Sequence, residues 1–261
     1  MAIRLERLTG EDEGIVLLGL DRPEAKNALG RRLMDAFRQA LADLRFDPSV
    51  RVVVLHSLVP GVFCAGADLK ERATMSQPEV AAFVHGLRSG FTELEDLPVP
   101  VIAVLEGAAF GGGLELALAA DLRVAGLDAR MGLVETTLAI IPGAGGTQRL
   151  PRLIGSSRAK ELIFTGRRIG AEEALHLGLV DRTVAVGTAL ESSLALAREI
   201  LPNGPVALRM AKLAVNRGLD LDRDSGLAFE QACYAQVIPT RDRLEGLAAF
   251  KEKRRPQYKG E

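Results

Sequence analysis

AFGGGLELALAAD, Ala109 to Asp121, is the stretch on which the fold turns. Three glycines, Gly111 to Gly113, run straight into an apolar, helix-forming segment, and Glu115 stands between Leu114 and Leu116. Glycine at a helix start lets another backbone or a ligand approach closely. A glutamate among leucines is costly to bury unless it is paired or has chemistry to perform. Just upstream, VPVIAVLEG (99–107) is a continuous apolar run bounded by Pro98, Pro100 and Gly107. That is the pattern of a strand covered on both faces. Strand, glycine turn and helix together predict a layered α/β unit.

The same strand signature recurs at RVVVLHS (51–57) and, shorter, at DLRVAG (121–126), while GIVLLGLD (14–21) reads as a further strand. RPEAKNAL (22–29) is a loop opening onto a helix in which Leu33, Phe37, Leu41 and Leu44 recur at helical spacing. Alternating strands and helices predict α/β layers with parallel strands. The character changes near Pro202. PVALRMAKLAVNRGLD, SGLAFEQACYAQVI (225–238) and RDRLEGLAAFKEKR (241–254) are helical patterns with no strand among them. The expected organisation is an α/β core over 1–200 and a helical region over 201–261.

Bulk properties narrow the function. A chain of 261 residues, 48% hydrophobic, is long enough for a sizeable core. A net charge of −1 exerts no overall pull on nucleic acid or anionic membrane. No apolar run is long enough to span a bilayer. MAIRLERLTGEDEG carries acids early and resembles neither a signal peptide nor a transit peptide. Cys64 and Cys233 are far apart and lack metal-ligand spacing, so a reducing compartment is expected and no metal. His56, His85 and His176 are scattered, and G-x-S-x-G, H-E-x-x-H and G-x-x-x-x-G-K-[ST] are absent. PGAGGT (142–147) is glycine-rich but is not a dinucleotide fingerprint.

Three segments remain: FCAGADLKER (63–72), the glycine run with Glu115, and MGLVETTLAIIPGAGGTQRLPR (131–152), in which Glu135 precedes a long glycine loop. Singly, each has a plain reading: a solvent-facing helix residue for Glu115, a cap for Glu135, a tight turn for Ala65-Gly66. In this order and together, AGADLKE, GGGLELALAAD, MGLVETTLAIIPGAGGTQRL and AKELIFTG resemble the crotonase (enoyl-CoA hydratase/isomerase) superfamily along nearly the whole chain. LVPGVFCAGADLKERATMS and ACYAQVIPTRDRLEGLAAFKEKR look like its methylglutaconyl-CoA hydratase branch, which is also described as binding AU-rich RNA.

The resemblance implies a spiral of strand–strand–helix units with C-terminal helices for oligomerisation, as a trimer or a dimer of trimers. It implies acyl-CoA thioester substrates, with coenzyme A part of the substrate and no separate cofactor. Glu115 and Glu135 would be the catalytic acids and bases, Glu115 at the water or leaving hydroxyl and Glu135 at the α-proton. The backbone N–H groups of Ala65 and Gly112 would form an oxyanion hole. Coenzyme A would lie along Glu24, Ala25 and Lys26 and along Ala65, Gly66, Ala67 and Asp68. Phe250 and Lys253, from this or a neighbouring subunit, would meet its nucleotide end.

Two glutamates favour a hydratase/dehydratase over the isomerases that work with one. The expected reaction interconverts 3-methylglutaconyl-CoA and 3-hydroxy-3-methylglutaryl-CoA, within leucine and related branched acyl-CoA metabolism, and a general short-chain enoyl-CoA hydratase is the alternative. Arg72, with Lys70 the weaker candidate and Tyr234 a further one, would recognise the distal carboxylate of the branched substrate. Where the RNA-linked relative carries a comb of lysines on a helix, this chain has Arg31, Asp35 and Gln39, so RNA binding is not expected. A ClpP-like serine protease would need a serine where Leu114-Glu115 stands. The expected compartment is the cytoplasm of a bacterium, or the mitochondrial matrix if a transit peptide precedes this sequence.

Overall fold

A computed structural model describes residues 2–261. One sheet runs in the order β1 (Ile3–Arg7), β2 (Ile15–Leu20), β3 (Val52–Ser57), β5 (Val101–Leu105), β7 (Leu122–Gly126) and β10 (Arg182–Val184). The second has β4 (Val62–Cys64), β6 (Ala108–Phe110), β8 (Arg130–Gly132) and β9 (Ile169–Gly170). Among the described residues only β1 with β2, and β8 with β9, pair antiparallel; the other pairs are parallel, as predicted.

The chain repeats one move. It runs up a strand of the first sheet, turns into a strand of the second, and leaves through a helix. β3 and β4 lead to α2 (Leu69–Arg72) and α3 (Gln77–Glu95), β5 and β6 to α4 (Gly112–Leu118). β7 and β8 lead to a 3-10 turn at Glu135–Leu138 and then to α5 (Gly146–Ile154) and α6 (Ser156–Thr165). This is the expected strand–strand–helix spiral. Each turn delivers one helix entrance to the same edge, where the three singled-out segments meet.

The valine-rich runs are buried on both faces because two different layers cover them. Val53 and Leu55 of β3, with Val101 and Ala103 of β5, face the main core with Leu33, Phe37, Leu41 and Leu44 of α1 (Arg31–Arg45). Their alternate neighbours Val52, Val54, Ile102 and Val104 face Leu196 and Ala197 of α8 (Ala189–Ile200), which follows α7 (Ala171–Leu177). Period-two alternation is present, but both faces are dry. Beyond residue 204 come only α9 (Pro205–Gly218), α10 (Arg223–Val237) and α11 (Arg241–Glu252). Lys212 of α9 is tied to the core, its Nζ 2.7 Å from Asp121 Oδ2 and 2.9 Å from the Val99 carbonyl. Among the described residues no helix is long and apolar enough to cross a membrane.

Candidate active site

The three glycines before Glu115 have separate tasks. Gly111 has φ +52°, which side chains rarely adopt, and a Cβ there would stand 3.2 Å from Glu135 Oε1. A Cβ on Gly113 would lie 2.3 Å from the Cys64 carbonyl oxygen, so only glycine lets α4 rest on β4. Between them, Gly112 opens the helix beside the Ala65–Asp68 turn: its Cβ position is 3.6 Å from the Ala67 nitrogen.

One helical turn on, Glu115 is buried, as a glutamate between leucines suggested. Its Oε1 accepts two backbone bonds, from Ala144 N–H at 2.8 Å and Gly146 N–H at 2.7 Å. Those amides belong to the Pro142–Gly146 loop, whose part the sequence reading missed. The available signal was a glycine run opening a helix, whose free N–H groups donate readily to a carboxylate. Burial raises the pKa of Glu115, while the Gly146 and Ala144 bonds and the charges of Arg149 and Arg88 oppose the rise.

Glu135 begins the 3-10 turn just beyond β8 and is also buried. Its Oε2 is buried without a hydrogen-bond partner. Burial, and then the nearby charge of Glu115, push its carboxyl up to about 7. The two acids are therefore differently tuned: Glu115 accepts two amide bonds that stabilise its charge, whereas Glu135 has only its own backbone amide to do so. Such a contrast favours a proton on Glu135 over one on Glu115.

This tuning costs stability in a defined pH window. A carboxyl whose folded pKa lies above its ordinary 4.5 makes the folded state lose stability as pH rises from there to about 7. Glu135→Gln removes that loss. Relative to wild type, the variant should gain roughly 3 kcal/mol between pH 4.5 and pH 8, read by urea unfolding at each pH. A difference that stays constant with pH would show that Glu135 titrates normally.

The predicted coenzyme A segments are brought together. Leu29 N–H donates to the Gly66 carbonyl at 2.7 Å and Asp68 N–H to the Leu29 carbonyl at 2.9 Å. Buried Asn27, unnoticed in the sequence, donates from Nδ2 to the Phe63 carbonyl at 3.0 Å and to Ser57 Oγ at 2.8 Å. Lys26 and Asn27 both have positive φ, and Glu24 and Lys26 are exposed. Asp68 caps α2, accepting from the N–H groups of Lys70 and Glu71, and pairs with Arg22 at 2.8 Å.

One expectation is corrected here. The Ala65 N–H already donates to the Lys26 carbonyl at 3.1 Å, so it is not free for an oxyanion. Among the described residues, the Ala67 N–H, two positions on, has no acceptor and lies beside Gly112. Arg72 is half-buried on α2 and pairs with no carboxylate among the described residues, while its neighbour Glu71 pairs with Arg31. Lys70 is exposed.

Tyr234, Phe250 and Lys253 are not brought to this site within one chain. Tyr234 and Phe250 are 65% and 87% exposed, and no hydrogen bond or ion pair among the described residues ties the three to it. Tyr234 lies on α10, Phe250 on α11, and Lys253 directly follows α11.

Comparison with known proteins agrees with this geometry. The Enoyl-CoA hydratase/isomerase family pattern matches residues 10–261. The chain is 55% identical to human mitochondrial methylglutaconyl-CoA hydratase, over 99% of this chain and 78% of that one. It is equally 55% identical to mouse mitochondrial enoyl-CoA hydratase domain-containing protein 2, over 99% and 88% of the two chains. The crystal structure of an enoyl-CoA hydratase from Bacillus anthracis superposes with a TM-score of 0.96 at 49% identity, covering 100% of both chains. The chain is thus an enzyme of the enoyl-CoA hydratase/isomerase family, the crotonases, and is similar within it to methylglutaconyl-CoA hydratase.

Proposed function

We propose that this enzyme adds water across the double bond of 3-methylglutaconyl-CoA to give 3-hydroxy-3-methylglutaryl-CoA, and catalyses the reverse. The observation that carries the reading is the pair of buried, differently supported carboxylates beside the Ala67–Gly112 turn. Hydration of a conjugated thioester passes through an enolate-like state with charge on the thioester oxygen. The N–H groups of Gly112 and Ala67 donate to that oxygen, and loss of one such donor costs about 3 kcal/mol of barrier. Glu115, fixed through Oε1, uses Oε2 to take a proton from the attacking water, whose oxygen bonds to C3. Glu135, protonated at rest, delivers its proton to C2. In reverse Glu135 removes the α-proton and Glu115 protonates the leaving hydroxyl. No metal or further cofactor takes part in this scheme.

Purified protein supplied with 3-methylglutaconyl-CoA in ¹⁸O-water should form the hydroxyacyl thioester with the label at C3. Recovery of unlabelled, unchanged thioester would refute the reading.

The working form is a trimer or a dimer of trimers. Supporting this, Leu227, Leu244, Leu247 and Phe250 on α10 and α11 are each more than half exposed in the single chain. Light scattering at micromolar protein should give three or six times the chain mass, and a monomer would contradict it.

A further inference from the structure

Gly143 and Ala144 share one peptide group whose two ends are both engaged. Its N–H end, on Ala144, donates to Glu115 Oε1 at 2.8 Å. Its carbonyl end, on Gly143, accepts from Arg88 twice, from Nε at 3.1 Å and Nη2 at 2.9 Å. The peptide is planar and conjugated, so the two bonds reinforce one another: a cation on the oxygen draws electron density from the nitrogen and sharpens the donor. Arg88 stands on α3, remote in sequence from Glu115, and its guanidinium is anchored to that carbonyl rather than to a carboxylate. The next carbonyl, of Ala144, accepts from Arg149 Nη1 at 3.1 Å, and Arg149 is itself held by Glu95. The loop holding Glu115 is thus gripped from behind by two arginines.

We infer that Arg88 is a positioning residue for Glu115, orienting and polarising it through the single peptide group between Gly143 and Ala144. The inference rests on the reading of Glu115 as the group that handles water. Arg88 does not touch substrate in this scheme. It aims the carboxylate and favours its charged form, so its removal misaims Glu115 and leaves less of it ionised without altering the substrate's binding surface. The charged groups facing Glu115 are Arg88 from α3, Arg149 from α5 and Glu135 from the turn after β8. Arg88 is the exposed member of the two arginines, so substituting it leaves the core intact.

The test is kinetic and spectroscopic, on the full-length enzyme. Arg88→Met should lower kcat about ten-fold, the effect of losing one charge-assisted, two-bond contact behind the reacting groups, with KM within about two-fold of wild type. The low-pH limb of its kcat/KM profile should move to higher pH, and Arg88→Lys should recover most of both effects. In a Glu115→Gln background, Arg88→Met should cause no further loss. Equal fold-losses in the two backgrounds, or an unmoved pH limb, would overturn the inference while leaving the role of Glu115 intact. Should Glu115→Gln retain near-native turnover, the role of Glu115 falls instead. A ¹³C titration of the Glu115 carboxyl in Arg88→Met then still decides: an upward shift supports the positioning, and an unshifted titration refutes it.

Discussion

Glu115→Gln and Glu135→Gln should each fold and bind acyl-CoA yet lose kcat by at least about a thousand-fold. A carboxamide occupies nearly the same volume and can accept the hydrogen bonds that Glu115 Oε1 receives from Ala144 and Gly146. It cannot give up or take a proton at working pH, so the loss falls on turnover and not on KM. The two variants should differ in exchange chemistry. Glu115→Gln retains the group at C2 and should still exchange the α-proton of a saturated acyl-CoA with D₂O, whereas Glu135→Gln should not. If either variant kept near-native kcat, the role given to that residue would be wrong. The expected stabilisation of Glu135→Gln above pH 7 makes the same point from the other side. A group tuned to about 7 by burial serves proton transfer at a cost to the fold.

The second large effect concerns substrate choice. The branched substrate carries a free carboxylate at the far end of its acyl chain, and crotonyl-CoA has none. A water-poor acyl site rejects that charge unless a cation pairs with it. Arg72 is the proposed cation: it follows the Asp68-capped turn directly, and it is not neutralised by its neighbour Glu71, which pairs with Arg31. Its planar fork suits bidentate pairing with a carboxylate better than Lys70 does. Arg72→Met should lower kcat/KM for methylglutaconyl-CoA by roughly 2–5 kcal/mol, a desolvated ion pair's worth. Crotonyl-CoA should be hydrated at least as well as before. Equal losses on both substrates would indicate general damage to α2 and remove Arg72 from the specificity argument.

Which features could be read from the sequence follows from the range of the interactions that set them. The long strands declared themselves through valine-rich runs, and α1 through Leu33, Phe37, Leu41 and Leu44, because local periodicity is how burial is written into a chain. The second sheet was nearly silent. Its strands are two or three residues long, too short for alternation to show, and they exist because the first sheet and α4 hold them in place. Both glutamates stood out as acids in apolar or glycine-rich blocks. Their partners did not: the amides that fix Glu115 come from 29 and 31 residues away. The choice between Ala65 and Ala67 as amide donor was equally hidden, since the Lys26 carbonyl decides it by engaging Ala65 first. Tyr234, Phe250 and Lys253 illustrate the remaining limit: no local pattern in the sequence says whether a residue beyond the spiral reaches the site, and within one chain Tyr234 and Phe250 stay exposed.

On the proposed reading, the two-glutamate crotonase site is matched to a branched, dicarboxylic acyl thioester. The most direct measurement is kcat/KM of the purified wild-type enzyme for 3-methylglutaconyl-CoA and for crotonyl-CoA under identical conditions. A preference for methylglutaconyl-CoA of at least about a hundred-fold, in keeping with a buried ion pair at the far carboxylate, is the predicted result. Faster hydration of crotonyl-CoA, with methylglutaconyl-CoA scarcely turned over, would contradict the account and identify a general short-chain hydratase.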